Sequence, residues 1–127
     1  RSGKLLDRLL IEEVGIERSA CYIANVVKCR PPGNRDPKPD EIAACRPYLE
    51  EQVELVDPAV IVTLGNFASK LLLDTETGIT KLRGRSYEYG GRSLVPTFHP
   101  AAALRGGADV LAKMRADLVR AKMLMAR

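Results

Sequence analysis

Three short apolar runs limit what this chain can fold into. They are Tyr22-Ile23-Ala24-Asn25-Val26-Val27, Val60-Ile61-Val62-Thr63-Leu64 and Leu94-Val95-Pro96-Thr97-Phe98. Each is brief, rich in β-branched or apolar side chains and bounded by turn or polar residues, as buried strands are. The stretches around them carry a different period. Leu5, Leu6, Leu9, Leu10 and Val14 recur at helical spacing until Gly15 stops the run. After Asp40, a capping residue type, the apolar positions Ile42, Cys45, Leu49, Val53 and Val56 step by three and four. A helix is expected from about Asn66 to Leu73 behind Gly65, and a last amphipathic one from about Ala108 to Met125. Lys81 to Tyr89 alternates loosely and meets Gly90-Gly91, which predicts a hairpin. Strand and helix in alternation predict an α/β domain: three layers, α/β/α, around a central, mainly parallel sheet.

In such sheets ligands bind beyond the carboxyl ends of the strands. That rule selects Asn25 with its succeeding loop, Gly65-Asn66, and His99-Pro100, and it predicts that they converge at one edge of three parallel strands. The loop after Asn25, Arg30 to Pro39, holds four prolines in ten residues and is neither helix nor central strand.

At 127 residues and 46% hydrophobic content the chain is one domain with enough apolar side chains for a core. No apolar run approaches the ~20 residues that span a bilayer, and no signal peptide opens the sequence. A soluble, cytoplasmic protein is expected. The formal charge of +4 fits a polyanionic partner without requiring one. Arg1-Ser2-Gly3 leads straight into an apolar helix, so the chain reads as a domain lacking its amino-terminal part. Three cysteines, Cys21, Cys29 and Cys45, cannot all pair with one another; reduced, buried or metal-bound states remain. Cys29 and Cys45 flank the proline-rich loop. Cys45 falls on the apolar face of its helix, where a buried thiol is the alternative to a metal ligand. Cys21, just before a core strand, reads as packing.

Two polar residues sit where chemistry is expected. The carboxamide of Asn25 offers one donor and one acceptor, which suits reading the edge of a base. Uracil presents O4 as acceptor and N3–H as donor, cytosine the reverse, so an amide held in one orientation prefers uracil. An asparagine there also serves as a turn cap. His99, the single histidine, comes directly after a buried strand. It can donate to an oxygen that gains negative charge in a transition state, or stand as a structural corner residue. Leu104 and Arg105 are placed to enter a DNA groove, the leucine as a wedge and the arginine on phosphate. Arg30, Arg35, Lys38, Lys81, Arg83 and Arg85 are further candidates for phosphate contact, or simply solvated charges.

Taken together, these segments resemble the family 4 uracil-DNA glycosylases, the iron–sulfur members of that superfamily. Tyr22 to Pro37 looks like the family's central motif, and Cys45-Arg46-Pro47-Tyr48-Leu49 looks like its last cluster cysteine with the residues after it. Val62-Thr63-Leu64-Gly65 and Pro96-Thr97-Phe98-His99-Pro100-Ala101-Ala102 look like the later signatures, in order. The resemblance covers essentially the whole chain. It implies a uracil-DNA glycosylase-like fold and an enzyme that flips uracil out of DNA and hydrolyses its N-glycosidic bond. Asn25 would hydrogen-bond the uracil and His99 its O2, with DNA contacts from Arg30, Arg35, Leu104 and Arg105. Cys29 and Cys45 would ligate a 4Fe–4S cluster, two of its four ligands. The implied partner is uracil-containing DNA, met by a monomer in a prokaryotic cytoplasm.

Some family features do not occur in the sequence: the Gly-Glu-Ala-Pro-Gly type first motif that positions water, a phenylalanine that stacks on uracil, and an amino-terminal Cys-x-x-Cys pair. All would lie upstream of Arg1, so this chain alone is expected to be inactive. The alternatives are a non-catalytic DNA-binding module and a related uracil-DNA-binding protein that traps its substrate through a histidine on a basic insertion. Arg30 to Pro39 holds no histidine.

Overall fold

A computed structural model of the chain describes residues 2–23 and 39–126. It is an α/β structure. Helix α1 (Ser2–Leu9) runs on through a wider turn, Leu10–Val14, and stops where expected: Gly15 is left-handed at φ 81° and its N–H returns to the Leu10 carbonyl. A short 3₁₀ turn comes next at Arg18–Ala20. Helix α2 (Pro39–Val56) begins with proline, whose fixed φ suits a first turn, and places Asp40 and Glu41 against the positive end of the helix dipole. Strand β1 (Val60–Leu64) leads through Gly65 into α3 (Asn66–Leu73), and a single turn, α4 (Ile79–Leu82), precedes β2 (Tyr87–Tyr89). Strand β3 (Arg92–Thr97), α5 (Pro100–Gly106) and α6 (Ala108–Met125) complete the described chain.

The sheet has the order β1-β3-β2, with β1 parallel and β2 antiparallel to β3. Among the described residues it is therefore mixed: β1 and β3, two of the three strands expected to be parallel, are so, β2 is the antiparallel strand of the hairpin, and most of the third expected strand lies outside those residues. The hairpin expected around Gly90-Gly91 forms, but its first strand is short, because Ile79–Leu82 is helical: Ile79 and Leu82 are both buried, a spacing that one helical turn satisfies. Tyr22 and Ile23, expected to start a buried strand, are exposed and unpaired with the sheet; the rest of that run lies outside the described residues. Cys21 is half-buried at the end of the 3₁₀ turn, its thiol 3.3 Å from the Arg18 carbonyl, and does not pack in a core.

The register divides the side chains between two cores. Ile61 pairs with Leu94 and Leu94 with Tyr87; their shared face meets Cys45 and Leu49 of α2 and Leu71 and Leu72 of α3. Val62, one residue on, joins Leu5 and Leu9 of α1, Ala103 of α5 and Met114 and Leu118 of α6. Helices thus cover both faces. No helix is long and apolar enough to cross a membrane among the described residues.

Candidate active site

The carboxyl ends of β1 and β3 meet at one point. The N–H of Gly65, the residue after β1, donates to the Thr97 carbonyl at 2.8 Å. Gly65 has φ 91° and ψ 179°, a conformation essentially closed to residues with a Cβ. A Cβ there would also stand 3.2 Å from the His99 Cβ. Glycine is what lets the end of β1 turn directly under His99.

His99 is exposed and caps α5. Its Nδ1 accepts the Ala101 N–H at 3.0 Å, and its carbonyl accepts the Ala102 N–H at 2.8 Å. A neutral imidazole that accepts at Nδ1 carries its proton on Nε2, so the ring presents a donor there. Pro100 sits at the first helical position, where its missing N–H costs nothing, and is buried with Ala103. Behind them, Gly106 lets α5 pack on α6; a Cβ there would stand 2.5 Å from a Val110 methyl.

Beneath this corner lies a buried carboxylate. Asp117 of α6 is wholly inaccessible to solvent. Its Oδ2 accepts from the Thr97 hydroxyl at 2.7 Å and from Arg83 Nε at 2.9 Å, and its Oδ1 from Arg83 Nη2 at 2.8 Å. This is a bidentate guanidinium–carboxylate pair with a hydroxyl on the same oxygen, and Arg120 adds a longer contact at 3.4 Å. The hydrogen bonds that Arg83 donates to Asp117 raise its pKa above the ordinary value, against the opposing effect of burial. Arg83 is thus a structural partner and not a free phosphate contact. Asp117 was not among the residues that the sequence singled out. Its signal was a lone acid on the apolar stripe of α6, in phase with Met114, Leu118 and Ala121.

Helix α4 crosses the same edge. Asn66 Oδ1 accepts the Ile79 N–H at 2.7 Å, pinning the start of α4 to the end of β1. The Tyr87 hydroxyl donates to the Leu82 carbonyl at 2.8 Å, fixing its other end. Asn66 therefore serves the scaffold.

The uracil DNA glycosylase superfamily matches residues 1–121 of this chain. The chain belongs to that superfamily. Its similarity is to the type-4 branch. It is 48% identical over 111 residues to the type-4 uracil-DNA glycosylase of Sulfurisphaera tokodaii, a match covering 81% of this chain and 50% of that protein. To the type-4 enzyme of Saccharolobus solfataricus it is 49% identical over 111 residues, 81% of this chain and 51% of the relative. To that of Thermotoga maritima it is 46% identical over 125 residues, 96% of this chain and 65% of the relative. The chain thus spans about half to under two thirds of the length of these relatives.

Within this glycosylase fold, Gly65 and His99 come together as expected. Leu104 and Arg105 are exposed on α5, at the far end of the helix that His99 caps. Cys45 is 3% exposed on the inner face of α2, and its sulfur is disulfide-bonded. Asn25, Cys29, Arg30, Arg35 and Lys38 lie outside the described residues. No group of three or more metal-ligating side chains gathers among the described residues.

Proposed function

We propose that this chain is the larger part of a monomeric, cytoplasmic glycosylase that flips uracil out of DNA and hydrolyses its N-glycosidic bond. The observation that carries the reading is His99: an imidazole whose Nδ1 accepts a backbone N–H, on a residue packed against Gly65 at the carboxyl edge of the sheet. When the bond between the base and the sugar breaks, its electron pair stays on uracil N1 and spreads onto O2. A donor aimed at O2 binds that anion more tightly than the neutral base, which lowers the barrier. Water adds to the sugar carbon and gives up a proton, and protonation of uracil N1 completes the hydrolysis. Asn25 reads the O4 and N3–H edge, a bidentate match worth roughly 1–3 kcal/mol against cytosine. Arg30, Arg35 and Arg105 hold phosphates, and Leu104 wedges into the stack as the base leaves it.

The residue that positions the water, and a further strand that completes a three-layer α/β/α sandwich, come from an upstream segment in this reading. Cys45 and Cys29, with two upstream cysteines, would hold a 4Fe–4S cluster; thiolate sulfur is the donor such clusters take, and the apolar surroundings of Cys45 (Leu49, Leu71, Leu72) shield it from water. Held by these cysteines, such a cluster would cross-link segments distant in sequence.

The test is Asn25→Asp in the protein extended to its relatives' length. An ionised carboxylate cannot donate to O4 and repels an anionic leaving group. Excision in single turnover is expected to fall by orders of magnitude, with affinity for undamaged DNA, dominated by phosphates, nearly unchanged. Excision at the wild-type rate would reduce Asn25 to a turn cap and remove this reading of the site.

A further inference from the structure

The stretch Ile79-Thr80-Lys81-Leu82-Arg83-Gly84-Arg85-Ser86 carries three basic residues and no acid. Only one of the three is neutralised. Arg83 turns inward to Asp117, while Lys81 and Arg85 are exposed and make no ion pair among the described residues. Gly84 stands between the two arginines in a left-handed conformation at φ 96°, with half-buried Arg83 before it and exposed Arg85 after it.

The bonds of the loop fix its position. Tyr87 pairs with Leu94 in the antiparallel ladder, so the residues before Tyr87 run alongside those after Leu94, toward His99. Arg83 and Thr97 donate to the same oxygen of Asp117, and Thr97 lies two residues before His99. At its other end α4 is tied to Asn66, next to Gly65. The loop is thus bound to both strand ends that form the corner. The geometry points to Lys81 and Arg85 as a phosphate-contacting element for the DNA strand beside the flipped nucleotide, held in place by the Arg83–Asp117 pair. Arg105, exposed on α5, the helix that His99 caps, adds a further positive charge beyond the carboxyl end of β3. A loop fixed before binding loses little conformational entropy when it meets phosphate, which is what distinguishes these two charges from long side chains on a mobile segment. This inference rests on the DNA-directed function proposed above.

The experiment is equilibrium binding of the extended protein to undamaged and uracil-containing duplex over a range of salt, with single-turnover excision measured at saturating protein. Each phosphate contact contributes about 0.9 to the slope of log K against log salt. Lys81→Ala with Arg85→Ala is expected to lower that slope by about 2, equally on both duplexes, with the excision rate at saturation unchanged. The charge-preserving pair Lys81→Arg with Arg85→Lys is expected to keep the wild-type slope. An unchanged slope in the alanine pair overturns the inference, as does equal loss in the charge-preserving pair. Because undamaged duplex reports on binding alone, a wild-type protein that binds it but excises no uracil counts against the proposed reaction and still decides the role of the loop.

Discussion

The two faces of the sheet bury polar groups of different kinds. Against α3, the Thr63 and Ser69 hydroxyls pair at 2.8 Å, a neutral contact between a strand and the helix directly after it. Against α6, Asp117 gathers Arg83 and Thr97, residues 34 and 20 positions away. The neutral pair trims a local junction. The charged one ties three distant segments to the end of β3, and burying a carboxylate is tolerable only while its partners stay in place. The face that holds the site's corner is therefore the one that depends on a network.

The largest effect is expected from breaking that network. Arg83→Met should destabilise the protein by about 3–5 kcal/mol, since it strands a buried charge. Thr63→Val should cost only about 1 kcal/mol, the scale of one neutral hydrogen bond. Urea titrations of both variants check this, and similar losses would erase the contrast between the faces. Gly65→Ala comes next. Its backbone conformation alone should cost about 1–3 kcal/mol, and because the new methyl presses on His99, excision should fall further than stability explains. On the α2 face, Cys45→Ser in the extended protein should remove bound iron, read by metal analysis; full iron content in a Cys29→Ser, Cys45→Ser double variant would contradict the proposed cluster. The smallest effect concerns Cys21. Burial pushes its thiol up, with Arg18 opposing and Asp7 adding, so it is mostly protonated near neutral pH and should alkylate more slowly than a free thiol. Alkylation at the rate of a free thiol would place it in a more polar setting than the one described.

Much of the scaffold was legible because its signals are periodic. The apolar stripe of α6, the run 60–64 and the Gly15 stop each announce a local structure, and each forms. The corner of Gly65 and His99 was legible for a topological reason, since the carboxyl ends of adjacent parallel strands share an edge. What escaped was non-local or ambiguous. Lys81 to Tyr89 alternates loosely enough to suggest one long strand, yet Ile79 and Leu82 bury together only as a helical turn. Arg83 looked like any surface cation, because nothing near it in sequence reveals a carboxylate 34 residues later. Tyr22 and Ile23 have strand composition, but composition does not supply a neighbouring strand to pair with.

The most direct test of the central claim, that the corner at His99 stabilises a departing uracil anion, is single-turnover excision by His99→Ala in the extended protein on uracil-containing duplex. Removing the Nε2–H donor should lower the rate by about 100-fold or more while affinity for undamaged duplex stays close to wild type. Excision at the wild-type rate, or a loss fully explained by weaker binding, would show that His99 only caps α5 and that the chemistry lies elsewhere.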